Sequence, residues 1–134
     1  MTIDIEARGT RLARLWILIA ACYLLVGVAF GIGMAASHKL EFAPVHAHIN
    51  LLGWATMALT GLIYSRFPRA GGSRLGVLHY WSFQILFPIL IAGLIFMFSG
   101  HPEMEPVMVV GSIGILASLL LFVVNLFQNT KPAQ

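Results

Sequence analysis

Apolar residues gather into four long stretches of this chain, at about residues 15–36, 46–64, 75–98 and 107–127, and polar residues collect between them. Each stretch is close to the ~20 residues that a helix needs to cross a hydrocarbon core. The pattern predicts an all-α, polytopic membrane protein, one domain over residues 1–134 with four transmembrane helices. The first stretch is too long for the core of a cleaved signal peptide, and a second follows closely, so it reads as a retained helix. Proline and glycine supply the punctuation. Pro44 stands at the entrance of the second stretch, where proline suits a first helical turn. Pro68 closes that stretch, and "RAGGSR" after it reads as a flexible turn. Pro88 falls inside the third stretch and predicts a kink. Pro102 and Pro106 bracket the short turn "GHPEMEP".

Composition sharpens this picture. Of 134 residues, 59% are hydrophobic and 10% charged, and mean hydropathy is +0.89. A soluble domain carries roughly 25% charged residues. The single cysteine, Cys22, lies in an apolar run, cannot form an internal disulfide, and reads as a small packed hydrophobe. The isoelectric point near 9.5 does not point to nucleic acid, because the basic residues flank the apolar stretches. Arg8, Arg11 and Arg14 precede the first, Arg66, Arg69 and Arg74 follow the second, and Lys131 follows the fourth. Only Lys39 falls on the other side, with Glu41, Glu103 and Glu105. The asymmetry places both termini in the cytoplasm of a bacterial inner membrane. His38, His46, His48 and His101 then lie toward the outer face, and His79 near the cytoplasmic end of the third span.

The second span opens with His46 and His48, one residue apart. Successive residues of an α-helix are about 100° apart, so these two rings point to opposite flanks at about 200°. One metal cannot take both from one regular helix, but two separate sites can take one each. Below His48 the same face continues through Leu52, Ala55, Leu59 and Leu62. Below His46 it continues through Asn50, Gly53, Met57, Thr60 or Gly61, and Tyr64, which is smaller and more polar. Both faces are expected to have room for something flat. Ionisable residues inside a membrane default to functional roles, and imidazole is a usual axial ligand of haem iron. The plain alternative is that both histidines lie at headgroup level, bonded to water or lipid. A copper or zinc site would need further convergent ligands, so haem is preferred to a bare ion. Without a Cys-x-x-Cys-His sequence, that haem would be b-type.

"HAHINLLGWATMALTGLIYSRFPR", residues 46–69, resembles the tenth transmembrane helix of heme-copper oxidase catalytic subunits, most closely the C-type (cbb-type) branch. "LHYWSFQILFPILIAG", residues 78–93, is similar to the eleventh helix of that subunit, and "LLLFVVNLFQN", residues 119–129, looks like the twelfth. The likeness in span order covers about residues 15–128, and the specific motifs fall in residues 46–93. It implies that His46 holds a high-spin haem and His48 a low-spin one. It also implies that the chain resembles one four-helix arc of a twelve-helix fold built from three arcs, with haems in the pores between them. Three copies of a single-arc chain would rebuild the whole. The expectation is a homotrimer in which His48 of one chain and His46 of the next share a bis-histidine haem b at each interface.

The departures from the family bound the activity. Four spans stand in place of about twelve, the helix with the copper ligands and crosslinked tyrosine is missing, and no carboxylate lies within any span. "GHPE" at Gly100–Glu103 resembles the His-Pro-Glu of the copper helix, but it stands in a turn before the wrong span and reads as coincidence. The expectation is therefore a membrane haem b protein. It would carry electrons or perform redox chemistry on a small molecule such as O2, NO or quinol, with a quinol or a cytochrome as donor. The alternative is a haem or copper handling factor or a gas sensor without turnover. Trp54 reads either as a ring stacked on haem or as packing. His79, beside Tyr80 and Trp81, reads either as part of an interfacial aromatic belt or as a propionate or quinol contact. Asn50, a cofactor-contact candidate beside His46, and Asn125 are polar groups that need partners across helices. Gly27, Gly31, Gly33, Gly111 and Gly114 read as close-packing positions, and His38 and His101 as solvated loop residues.

Overall fold

The computed structural model describes residues 2–130, so Lys131 lies outside the described residues. Helix α1 spans Thr2–Ala36. A 3-10 turn at Leu40–Phe42 leads to a second rod that is helical without a break from residue 43 to 66. That rod changes character twice: α2 is Ala43–His48, a π-helical stretch covers Ile49–Thr56, and α3 is Met57–Arg66. A short helix α4, Pro68–Gly72, joins it to α5, Arg74–Phe98, and a second 3-10 turn at Pro102–Met104 leads to α6, Glu105–Asn129. No strand occurs among the described residues. The rods alternate in direction, as connections this short require.

Three of these helices, α1, α5 and α6, are long and apolar enough to cross a membrane. No segment of the second rod reaches that length, because the π-helical stretch divides it. Leu25, Ile32, Ile113, Leu116, Leu120 and Phe127 are all exposed. Water would penalise an apolar exterior of this kind and hydrocarbon would not. The protein is thus a helical bundle of membrane type.

Local chemistry sets the helix ends. At the C-terminus of α1, Lys39 donates to the Met34 carbonyl and His38 to that of Ala35, with His38 at φ 54°. This is the Schellman pattern, with a histidine in the left-handed position that usually takes glycine. The same pattern ends α5 with Gly100 at φ 92°. Phe67, at φ −126° and ψ 71° and so outside the helical region ahead of Pro68, separates α3 from α4. Ser73 caps α5 by accepting from the Gly76 N–H at 2.9 Å. Helix α5 continues through Pro88 without leaving the helical state.

Residues 69–74 differ from the expected flexible turn. Pro68–Gly72 is helical, and Ala70, Gly71 and Gly72 are buried. A Cβ added to Gly9 would overlap the Pro68 carbonyl, and one added to Gly72 would overlap that of Ile5. The two backbones therefore meet where neither residue has a side chain. Arg8 locks the crossing by donating to the Gly72 carbonyl from Nε at 3.0 Å and Nη2 at 2.6 Å. Because the obstacle is backbone, a Gly72→Ala chain is expected to lose about 2–3 kcal/mol of stability. Unfolding in mixed detergent should read that loss, whereas Gly33→Ala, where a Cβ meets open space, should stay within about 0.5 kcal/mol of the parent.

Small residues also close the α5–α6 pair. A Cβ on Gly93 would press on the Met108 backbone, one on Gly111 on the Leu90 backbone, and one on Gly114 on the Leu86 side chain. The packing role expected of Gly111 and Gly114 holds. Gly33 does not share it.

Candidate functional site

Two polar clusters stand out, at opposite ends of the bundle. Both histidines of the first lie in α2, in regular helical geometry, and both are half-buried. His46 faces α1. Its Nδ1 lies 3.1 Å from the Gly27 carbonyl, and a Cβ on Gly31 would overlap its ring. Asn50 seats against Gly27 in the same way and donates from Nδ2 to the His46 carbonyl at 2.9 Å. A longer approach of Asn50 Nδ2 to His46 Nδ1, at 3.4 Å, is secondary, because that nitrogen is committed to Gly27. The room expected for a flat group beside His46 is thus taken by α1, whose glycines let both side chains sink into it.

His48 turns the other way. Its Nδ1 lies 2.8 Å from the Pro44 carbonyl, one turn back. The face below it runs through half-buried Leu52 and Ala55 to exposed Leu59 and Leu62. A carbonyl only accepts, so Nδ1 of each ring must carry the proton, and Nε2 must carry the lone pair. Neither Nε2 has a hydrogen-bond partner among the described residues, and neither is closed off from the surface. An imidazole anchored in this way through Nδ1–H to a carbonyl is arranged as a metal-binding histidine is, with tautomer and ring orientation fixed from behind. The donor chemistry fits an axial ligand of haem iron. No group of three or more metal-ligating side chains occurs among the described residues, and haem needs no such group, since its porphyrin supplies four ligands.

Trp54 is half-buried in the π-helical stretch and packs against the hydrophobic core. Gly53 beside it lets Tyr23 and Phe87 meet edge to face, with ring centroids 5.0 Å apart. The structure therefore brings His46 and Asn50 together, places His48 on the opposite flank, and keeps Trp54 nearby. It does not bring His79 to them. Sixteen residues of rod separate His48 from Tyr64, the partner of His79, which is on the order of 25 Å. In the outer turn, His101 and Glu103 form an exposed pair at 3.0 Å. A backbone hydrogen bond at Glu103 itself and the His101 ring hold that carboxyl below the usual range.

The second cluster lies at the arginine-rich end, where every rod contributes. Asn125 of α6 is fully buried. Its amide donates to the Ala70 carbonyl at 2.9 Å and to the Tyr64 hydroxyl oxygen at 3.1 Å. Its carbonyl accepts from Ser73 at 2.7 Å and from Asn129 at 2.8 Å. The Tyr64 hydroxyl also lies 3.0 Å from Nδ1 of His79, and this bond couples the Tyr64 proton to the His79 tautomer: Tyr64 as donor goes with the ring proton on Nε2, and Tyr64 as acceptor with the ring proton on Nδ1. Trp16 and Phe122 flank that ring at 5.0 and 5.1 Å. His79 Nε2 and Trp16 Nε1 are both buried without a hydrogen-bond partner among the described residues. Phe83 stands T-shaped to both rings, at 5.3 Å from Trp16 and 5.9 Å from His79, and Tyr80 stands T-shaped to Trp16 at 5.5 Å.

The belt reading suits exposed Trp81 and not His79, which is enclosed. The helix–helix bonds expected of Asn125 are present, and those of Asn50 stay within its own rod. Trp16, Tyr64 and Ser73 were not singled out by sequence reasoning for this cluster. A signal existed: Tyr64, His79 and Asn125 each stand near the end of their stretch that basic residues flank. Comparison of the chain with protein-family models, with curated proteins and with solved structures finds no match.

Proposed function

We propose that this chain is a membrane haem b protein related to the catalytic subunit of heme-copper oxidases, with iron held by His46 and His48. The observation that carries the reading is the paired anchoring of both rings through Nδ1 to a carbonyl, which leaves two Nε2 lone pairs on opposite flanks. The His-x-His motif and the order of the apolar stretches support it from the sequence side. In this reading the second rod is a fourth span, and both termini are cytoplasmic in a bacterial inner membrane. Because α1 fills the space beside His46, the haem lies at the outside of one bundle, against another chain. His48 of one chain and His46 of the next would share it in a homotrimer. With an imidazole from each of two chains, bound haem would supply one-electron transfer, with a quinol or a cytochrome as donor. The protein's own residues fix ligand tautomer and direction and cover the ring with leucine.

The test is the absorption spectrum and pyridine haemochrome of the detergent-purified protein. Protohaem at about one per chain, with a reversible oxidised-to-reduced change, is the expected result. Covalent c-type haem, or a colourless protein after expression with added haem precursor, would sink the reading. A second reading, a haem handling factor or gas sensor, draws on the half-buried state of both histidines. It predicts rapid loss of haem to apomyoglobin, where an electron carrier would retain it.

A further inference from the structure

A cleft of about 430 Å³ opens at the arginine-rich end, between the α3–α4 corner and the end of α6. Arg66, Phe67 and Arg69 line it from the α3–α4 corner, Gln128, Asn129 and Thr130 from the end of α6, and Glu6 from α1. Arg66 lies over the Phe67 ring at 5.3 Å, which holds its guanidinium at the cleft. Neither Arg66 nor Arg69 has a carboxylate within salt-bridge distance among the described residues. Two unpaired guanidiniums against one carboxylate make this an anion site by charge, and guanidinium suits the paired oxygens of a phosphate. Thr130 also lines a second cleft of about 200 Å³, with Val123, Leu126 and Phe127 as its other walls. That cleft is apolar and lies farther along α6. A cationic hollow and an apolar one that share Thr130 as a wall, at the end of a membrane bundle, match a molecule with a phosphate head and a hydrocarbon tail.

We propose that this double cleft binds one anionic phospholipid per chain, with Arg66 and Arg69 holding the phosphodiester and the strip from Val123 to Phe127 carrying an acyl chain. The site rests on the membrane character of the bundle and not on haem, so a colourless protein would still bind the lipid. The occupant is a lipid and not a free phosphate, because the apolar strip gives affinity that only a tail can use.

The experiment takes the delipidated full chain in mild detergent and counts bound lipid by native mass spectrometry. The probes are phosphatidylglycerol, phosphatidylcholine of the same chains, and glycerol phosphate. The expected result is a single tight phosphatidylglycerol adduct, weakened about tenfold or more in Arg66→Gln/Arg69→Gln. Arg11→Gln/Arg14→Gln removes two exposed arginines that do not line the cleft, and should leave the adduct within about twofold of the parent. Phe127→Gln should weaken phosphatidylglycerol and leave the fold unchanged by circular dichroism. Equal loss in both arginine pairs would reduce the effect to diffuse charge and overturn the site. Equal binding of phosphatidylcholine, or competition by glycerol phosphate at lipid concentrations, would overturn the assignment of its occupant.

Discussion

A His48→Ala chain purified in parallel with the parent is expected to lose its haem absorption. On the proposed reading, the substitution removes the Nε2 that would hold iron, on a ring whose Nδ1 lies 2.8 Å from the Pro44 carbonyl, and the methyl group left behind offers iron nothing. Loss of a group that merely orients a ligand costs 10–100-fold in metal affinity, so loss of the ligand itself should exceed about 100-fold. His48 is half-buried and spans no helix–helix bond, so the fold should survive, and circular dichroism checks that. His46→Ala should also lose the spectrum if the iron takes one ligand from each of two chains. Co-expression of the two variants then becomes diagnostic, because a mixed interface brings an intact His48 to an intact His46 and should recover part of the colour. His101→Ala, in the outer turn with Glu103 as its partner, should leave the spectrum unchanged. Retention of full haem by both His46→Ala and His48→Ala would remove this pair from the site.

An Asn125→Leu chain is expected to be the least stable of the single substitutions, by about 2–4 kcal/mol. Leucine is close in volume, so the loss is one of hydrogen bonds and not of packing. Ser73 lies 2.9 Å from the Ala70 carbonyl and can keep that group satisfied. Tyr64 loses the amide of Asn125 as a donor to its oxygen and keeps the His79 ring as its one hydrogen-bond partner among the described residues. A buried polar group left without its partner costs about 1–3 kcal/mol. The variant also leaves the Tyr64 oxygen with His79 as its one remaining donor candidate, so the His79 tautomer should shift toward Nδ1–H. Nitrogen chemical shifts of the imidazole report that change, which a packing defect alone would not produce. Stability within about 0.5 kcal/mol of the parent would mean that the network is incidental.

The rods were legible in the sequence because the membrane makes them so. Hydrocarbon demands a run of apolar residues, and a run is read directly from composition in a window. The first helix shows where that signal stops. It begins at Thr2, well ahead of the apolar stretch, and its early turns carry Asp4, Arg8, Arg11 and Arg14 on one side. On the other, Gly9, Leu12, Ala13, Trp16 and Ala20 are buried. That spacing of three, one, three and four residues is a helical face, but charge masked it in a reading based on hydropathy. The short helix α4 was hidden for a different reason. Two adjacent glycines signal a turn unless another backbone lies against them, and Gly9 is sixty residues away in sequence. The histidine pair was legible as a motif. The filling of one of its flanks by α1 was not, because it depends on which glycines of one rod meet which side chains of another.

The π-helical stretch works as an indexing step between the two ends of its rod. Val45, Ile49, Gly53 and Met57 are all buried, each four residues from the last. In an ordinary α-helix, four residues turn about 400°, so three such steps would carry Val45 about 120° away from the line of Met57. The wider i→i+5 turns absorb that drift and keep one flank facing the core from end to end. His46 and His48 are covalently tied to Val45, so the same extra residue decides the compass bearing of both rings. Shortening the stretch by one residue would leave the lower half seated by Met57 and Tyr64 while the upper half swung by about 100°. Both imidazoles would move from the flanks to new bearings, with neither histidine replaced and no contact at the arginine-rich end disturbed.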